Sequence, residues 1–393
     1  MSYKIDRYCI ACTLGTEHQQ IYNNLINPEK TFLTRSSDYL PERSVYVGSV
    51  GMSSCVEQKW ENEIHTNNDI FPFFVFKTLN QRVSQLKKQY GCSRIGIVTG
   101  TSTAGIYNLE NALLYLYKFG LLPEDFRYSD SEMTSIANIL KVLFGVTGPS
   151  YNISTACTSG IKAIASAGSL LDTGICDAVI TGGIDTLCKL TVQGFDSLDL
   201  ISGDIANPLS ANRDGINIAE GAAVCILTRE EGGIHIKGIG ESCDAYHVSS
   251  PHPDGEGTAA AMNMALKKAG LSKGDISYIQ LHGTGTRFND VSEAKAIHSL
   301  FGSTTPCSSV KPLVGHTLGT SGSLGALLCA LLLEQQQTVL PPHIWDGQKD
   351  SSIPDINVIS KPLFLDSQAK PNFMVNNLAF GGNNCSIIVG RAD

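Results

Sequence analysis

Tyr151-Asn-Ile-Ser-Thr-Ala-Cys-Thr-Ser-Gly160 sets a single cysteine, Cys157, between two segments of opposite character. Upstream, Tyr151–Thr155 has the aromatic and β-branched bias of a short strand. Downstream, Ile161-Lys-Ala-Ile-Ala-Ser-Ala-Gly-Ser-Leu-Leu171 is rich in small and apolar residues, the composition of a helix buried on nearly every side. Cys157 therefore belongs at a strand-to-helix turn. Free backbone N–H groups at a helix start favour an anion, so they lower a thiol's pKa and can hold an oxyanion. A buried structural cysteine is the ordinary alternative. The choice between them rests on what else the chain brings to this turn.

Composition narrows the field. With 393 residues the chain is long enough for two domains or one duplicated α/β unit. Hydrophobic residues at 42% and charged residues at 17% suit a well-buried enzyme and not a disordered chain. The net charge of −8, with no Lys/Arg-rich segment, argues against a nucleic-acid binder. Twelve cysteines are scattered, several inside strand-like runs (Cys225, Cys329, Cys385), so a disulfide framework is not expected and a reducing compartment is. The one C-x-x-C pair, Cys9 and Cys12, has no companion ligands and reads as accidental. The first residues lack a signal-peptide pattern, and the longest apolar run, Leu324–Leu333, is too short to span a bilayer. The expected location is cytoplasmic, with no membrane insertion.

Along the chain, strand-like runs alternate with helices. Strands are expected at Tyr8–Cys12, Ser44–Val50, Ser93–Thr103, Asp177–Gly183, Ala222–Leu227, Ile234–Ile239, Tyr278–Leu281, Pro306–Val310, Phe373–Asn377 and Ser386–Val389. Helices are expected at about 69–90, 258–270, 290–301 and 320–336, while the polar stretch Thr16–Pro41 reads as surface and 190–220 as loop. This alternation implies mainly parallel sheets covered on both faces. The pattern also echoes itself. Val98-Thr-Gly-Thr-Ser-Thr103 lines up with Leu281-His-Gly-Thr-Gly-Thr286, and Ala222–Leu227 with Cys385–Val389. The expected organisation is thus an N-terminal half, residues 1–230, holding the cysteine, and a C-terminal half, residues 231–393. An insertion at about 106–150, rich in aromatics, would cap a pocket or an interface.

Three segments could meet Cys157. His282, in Gln280-Leu-His-Gly-Thr-Gly-Thr-Arg287, stands at the carboxyl end of a buried strand, where open parallel sheets bind ligands. His316, in Val314-Gly-His-Thr-Leu-Gly319, again follows a short strand and precedes a buried helix. Lys311, five residues earlier in an apolar stretch, is either reaching solvent or held near a charge. The histidines lack a metal-binding spacing such as i, i+4, so no metal is expected. The tail Asn376-Asn-Leu-Ala-Phe-Gly-Gly-Asn-Asn384 ends a strand in a glycine turn that suits an oxyanion donor or a movable gate. Dinucleotide-binding, P-loop and serine-hydrolase signatures are missing.

Together these segments resemble the β-ketoacyl-[acyl-carrier-protein] synthases, Cys-His-His condensing enzymes of the thiolase superfamily. The resemblance rests on Thr155-Ala-Cys157, His282-Gly-Thr-Gly-Thr286, Lys311-x-x-x-x-His316 and Phe380-Gly-Gly382, in that order, with the first 90 residues short for the family. It implies a duplicated five-layered αβαβα fold with two mainly parallel mixed sheets. It implies acyltransferase chemistry, a decarboxylative condensation of an acyl group with a malonyl thioester in fatty-acid, polyketide or polyene synthesis. Residue by residue, it makes Cys157 the nucleophile, His282 and His316 the pair that binds the second thioester's carbonyl, and Lys311 the group that sets the site's charge. Glu293 falls where the family has a buried acid near that lysine. Phe380 would be the gating aromatic and an oxyanion donor, followed by Gly381, with Thr284 and Thr286 on the wall of the site. No cofactor is implied beyond the phosphopantetheine that arrives on the acyl carrier protein, which would be a partner alongside a second synthase-like subunit in a homodimer or heterodimer.

The sequence departs from the family at Asn383, where threonine is usual, and at Ile216, which replaces a common phenylalanine of the opposite gating loop. These bear on substrate range. Two rival readings are weaker. A CoA-dependent thiolase needs a second catalytic cysteine, and Cys385 falls inside the last strand. A non-catalytic chain-length subunit typically lacks the cysteine that this chain keeps.

Overall fold

The structure, a computed structural model, describes residues 2–28, 31–51, 67–366 and 370–392. Among these, one sheet of eleven strands carries the fold. Read outward from its middle, the first half runs Tyr3–Ala11, Gly221–Thr228, Ala178–Asp185, Ile95–Gly100, Ser150–Ile153. The second half runs outward the other way as Ile234–Cys243, Asn383–Arg391, Asn372–Ala379, Ile276–Gln280, Pro306–Ser308, with Asn357–Val358 added at the rim. Position by position the two halves have the same order and the same directions. The echo in the sequence is therefore a duplication: Ile95–Gly100 and Ile276–Gln280 hold equivalent places, as do Gly221–Thr228 and Asn383–Arg391.

The expected two sheets are the two halves of this one, joined only where Tyr3 pairs with Ile236 and Lys4 with His235. Their parallel character is confined to the outer strands. The strands beside the seam are antiparallel, because Asn372–Ala379 and Asn383–Arg391 are linked by a tight turn, a connection that only antiparallel neighbours permit.

Three layers of helices complete the five. The middle layer is a pair, Ser159–Asp172 and Ser321–Glu334, enclosed between the half-sheets. Ser321–Glu334 has no polar face, and Leu327, Leu328, Leu332 and Leu333 are fully buried, each contributing about 1.5–3 kcal/mol. Asn67–Tyr90 and Ser135–Phe144 cover the first half-sheet, and Glu256–Ala269 and Arg287–Phe301 the second. None of the described helices is long and apolar enough to cross a membrane.

Helices also form in two stretches for which none was expected, one read as surface and one as loop. His18–Ile26 buries Ile21, Leu25 and Ile26 on one side of a Gln/Asn-rich segment, and Lys189–Asp196 lies in the expected loop. In the 106–150 insertion, helix Ile106–Phe119 leaves Leu113, Leu114, Tyr117 and Phe119 exposed.

Close approach brings the middle layer against the first half-sheet. A Cβ on Gly100 would stand 2.4 Å from the Ser159 carbonyl carbon, where the central helix begins. Gly100→Ala should therefore cost about 1–3 kcal/mol. Urea denaturation checks this, and an unchanged midpoint would contradict the packing described.

Candidate active site

Cys157 lies just before Thr158, the N-cap of Ser159–Asp172, and is 8% exposed at the floor of a cavity. The turn is strained. Ala156 has φ 52°, the left-handed region, at a cost of roughly 1–2 kcal/mol for a residue with a Cβ. Its carbonyl is held by the Ser159 hydroxyl at 2.6 Å and the Ser102 hydroxyl at 3.1 Å. Asn377 Nδ2 donates to the Cys157 carbonyl at 2.6 Å from the other half.

His316 reaches the same point by the equivalent route, from the loop between strand Pro306–Ser308 and helix Ser321–Glu334. Gly315, with φ 68°, turns the chain, and the His316 N–H donates to Asn217 O at 2.7 Å. Its Nε2 stands 3.1 Å from Cys157 Sγ. His282, just past strand Ile276–Gln280, faces His316 with ring centroids 5.3 Å apart and planes at 80°. One donor atom from each of Cys157, His282 and His316 lies within 4.8 Å of the others. The spacing along the chain gave no hint of this grouping, which arises from the fold.

Lys311 is buried and donates to His282 O, with Nζ also 3.4 Å from His282 Nδ1. Glu293 is buried too, but it makes no ion pair with Lys311. Its two carboxylate oxygens accept the His282 and Gly283 N–H groups, each at 2.8 Å. The expected pairing is thus replaced by an indirect one, in which acid and amine grip opposite edges of the His282 backbone.

Burial sets the protonation states. Both imidazoles are held well below 6.5, first by desolvation and then by the nearby Lys311 charge, so both are neutral near pH 7. Burial also lowers Lys311 and raises Glu293. The Cys157 thiol is pushed up to about 12 by burial, with Lys311 pulling the other way. The expected lowering is reversed. Desolvation outweighs the Lys311 charge and the backbone N–H of the turn.

The cavity above these groups measures about 480 Å³. Ile216, Thr284, Thr286 and Phe380 line it, together with Phe195 and Phe288. Phe380 stacks at a tilt on Phe195, with centroids 5.5 Å apart. Gly381 does not line the cavity. Its N–H donates to Val248 O at 2.7 Å and so ties the Gly-Gly turn to the loop beyond Cys243. The unusual Asn383 accepts from Lys162 Nζ at 2.9 Å.

Three supporting residues escaped the sequence reading. Asn377 bonds to Cys157 O; an asparagine pair inside an apolar strand was the available signal. Asp290 accepts the Thr284 and Gly285 N–H groups. Asp185, fully buried, accepts from Thr101, Ser102 and Thr103 on one side and Thr320 on the other. Asp290 lies in a helix and Asp185 ends a buried strand, and only three-dimensional contacts give them a role.

Models of the beta-ketoacyl synthase N-terminal and C-terminal domains match residues 83–232 and 234–344. The chain belongs to the beta-ketoacyl synthase family. Family membership makes it a condensing acyltransferase. Among its relatives, the synthase is 31% identical over 320 residues to 3-oxoacyl-[acyl-carrier-protein] synthase 2 of Vibrio cholerae, covering 76% of each chain. It is 30% identical over 350 residues to the protein of the same name from Synechocystis, covering 81% of each. Among solved structures, it superposes with a TM-score of 0.92 and 36% identity on the ketosynthase (ApeO) in complex with its chain length factor (ApeC) from Xenorhabdus doucetiae, covering 100% of this chain and 98% of that one. A beta-ketoacyl synthase from Burkholderia phymatum shares the fold, with a TM-score of 0.85 at 24% identity and coverage of 100% and 99%.

The raised thiol pKa has a kinetic signature. Alkylation of Cys157 by iodoacetamide should climb with pH from 6 to 9 without levelling off, and His316→Ala should slow it. A plateau in that range, followed by mass spectrometry of the Cys157 peptide, would show a thiolate already formed at rest.

Proposed function

We propose that the chain condenses an acyl group carried on Cys157 with a malonyl thioester carried by an acyl carrier protein, releasing CO₂ and a β-ketoacyl chain longer by two carbons. The observation that carries this reading is the meeting of one sulfur and two neutral imidazoles at a cavity floor, with His316 Nε2 3.1 Å from the sulfur.

In the first half-reaction the thiol gives its proton to His316 Nε2 as sulfur attacks the acyl thioester. The tetrahedral oxyanion is held by the N–H groups of Cys157 and Phe380. The intermediate collapses, the departing phosphopantetheine thiolate takes a proton from solvent, and His316 keeps the proton on Nε2 while releasing the one on Nδ1 to solvent, so that the neutral ring can next donate from Nε2. In the second, the malonyl carbonyl oxygen receives N–H bonds from His282 and His316. Lys311, donating at His282 Nδ1, keeps that ring's proton on Nε2, where it is needed. The C–C bond to the carboxylate breaks, CO₂ leaves, and the enolate carbon attacks the Cys157 thioester, returning sulfur as the leaving group. Loss of one such donor commonly costs about 2.7–4 kcal/mol in barrier. Phosphopantetheine enters as part of the substrate, and nothing else is required of a cofactor.

A second subunit belongs to this reading. The Xenorhabdus doucetiae ketosynthase was solved with its chain length factor, and the exposed apolar helix Ile106–Phe119 is suited to cover by such a subunit. We read the chain as the active member of a pair of this kind, with homodimerisation as the alternative that size-exclusion chromatography with the neighbouring gene products distinguishes. Free thiols throughout the described cysteines fit a cytoplasmic location.

Cys157→Ala should abolish acyl transfer from acyl carrier protein, and an undiminished elongation rate would end this proposal. Cys157→Gln, which mimics the acylated sulfur, should retain malonyl decarboxylation, and His282→Ala should lower that activity by roughly 10²–10³-fold. The pH profile follows from the shifts. Decarboxylation should hold constant down to pH values below 6.5, because the imidazoles stay neutral there. It should fall on the basic side well before 10.5, as Lys311 loses its proton early. An acid limb at or above 6.5 in stopped-flow CO₂ release would contradict the neutral-imidazole assignment.

A further inference from the structure

We propose that Cys157, His282 and His316 also form an inhibitory zinc site, at which a bound ion occupies the acyl acceptor. One sulfur and two imidazole nitrogens are the donor set that zinc prefers, and here they converge within 4.8 Å from three separate segments. Around tetrahedral zinc such atoms stand about 3.3–3.7 Å apart, given bonds of about 2.0–2.3 Å. The Cys157–His316 pair, at 3.1 Å, is already near that spacing, and His282 has to close by about 1.5 Å at most. The three donors border a cavity of about 480 Å³, which has room for a water as the fourth ligand and which Thr284 and Thr286 also line.

All three ligands are at most 8% exposed, so the ion would be held out of bulk water. Their surroundings fix them in place. Glu293 grips the His282 backbone, Asn377 holds Cys157, and Asn217 holds His316. The local cation, Lys311, is the opposing charge, and it is directed at the His282 carbonyl and Nδ1 side. On binding, sulfur releases its proton to solvent and bonds as thiolate, which offsets one of the ion's two charges.

Inhibition follows from atom use. A zinc-bound thiolate has its charge drawn onto the metal, so it is a weaker nucleophile, and the ion occupies the side of the sulfur that faces the imidazoles. A coordinated Nε2 has given up the lone-pair position where, in the proposed condensation, a proton must sit to meet the enolate. Zinc and the acyl group therefore compete for one sulfur, and an acylated enzyme should refuse the ion.

The test uses the full-length protein stripped of metal with EDTA and titrated with zinc sulfate. Elemental analysis after desalting should give one zinc per chain for wild type and for a control lacking the exposed Cys243 (Cys243→Ser). Affinity should drop about tenfold or more in Cys157→Ala and in His282→Ala. Cobalt(II) in place of zinc should give a sulfur-to-metal charge-transfer band that Cys157→Ser, a second and gentler variant, loses. Zinc should also block iodoacetamide at Cys157, and EDTA should restore it. Equal zinc binding by wild type and Cys157→Ala, or a cobalt complex without the band, would overturn the site. Acyl transfer measured in EDTA is independent of it, so failure of the zinc site leaves the condensation proposal to its own tests.

Discussion

Everything in this molecule depends on the packing of two helices between two half-sheets. Ser159–Asp172 and Ser321–Glu334 are the central layer of a duplicated fold, and each is preceded by the loop that delivers one reactive group. Because the halves are related by the same strand order, the two loops arrive at the same place from opposite sides. A sulfur and an imidazole from residues 159 positions apart are thereby held 3.1 Å from each other. No local motif could achieve this. The contact exists because two nearly featureless apolar helices are buried against one another.

Burial then decides the chemistry. In the open, a histidine near pH 7 is partly charged and a lysine fully so. Here desolvation keeps both rings neutral and weakens the hold of the proton on Lys311. In the proposed condensation neutral rings suit an enolate as donors, since an imidazolium would be a stronger acid than the task requires. The same burial works against the thiol, raising it instead of lowering it, so in the proposed reaction the sulfur relies on the adjacent His316 to lose its proton. One physical cause thus prepares the histidines for their part and leaves the cysteine reliant on them.

The sequence made much of this legible. Strand-to-helix turns carrying Cys157 and His316, the repeat linking Val98–Thr103 to Leu281–Thr286, and the Phe380 turn are all local patterns, and each sits where its residues implied. What escaped was non-local. The helix His18–Ile26 hides three buried apolar residues among glutamines and asparagines. Glu293 and Lys311 act through a shared backbone segment, which no spacing rule anticipates. The upward shift of the thiol is a property of enclosure, and enclosure is set by residues hundreds of positions away.

Among the described residues, the strand pairing at the seam between the half-sheets consists of two residue pairs. Nucleophile and first imidazole partner come from different sides of it, and the asparagine that steadies the nucleophile is supplied by one of the last strands of the chain. A ribosome-bound or truncated product carrying the first half alone would display its cysteine without any of the groups that give it purpose. The site is thus a property of the whole duplication: neither half holds all of its groups, and the last hairpin of the chain contributes to it as directly as the first half does.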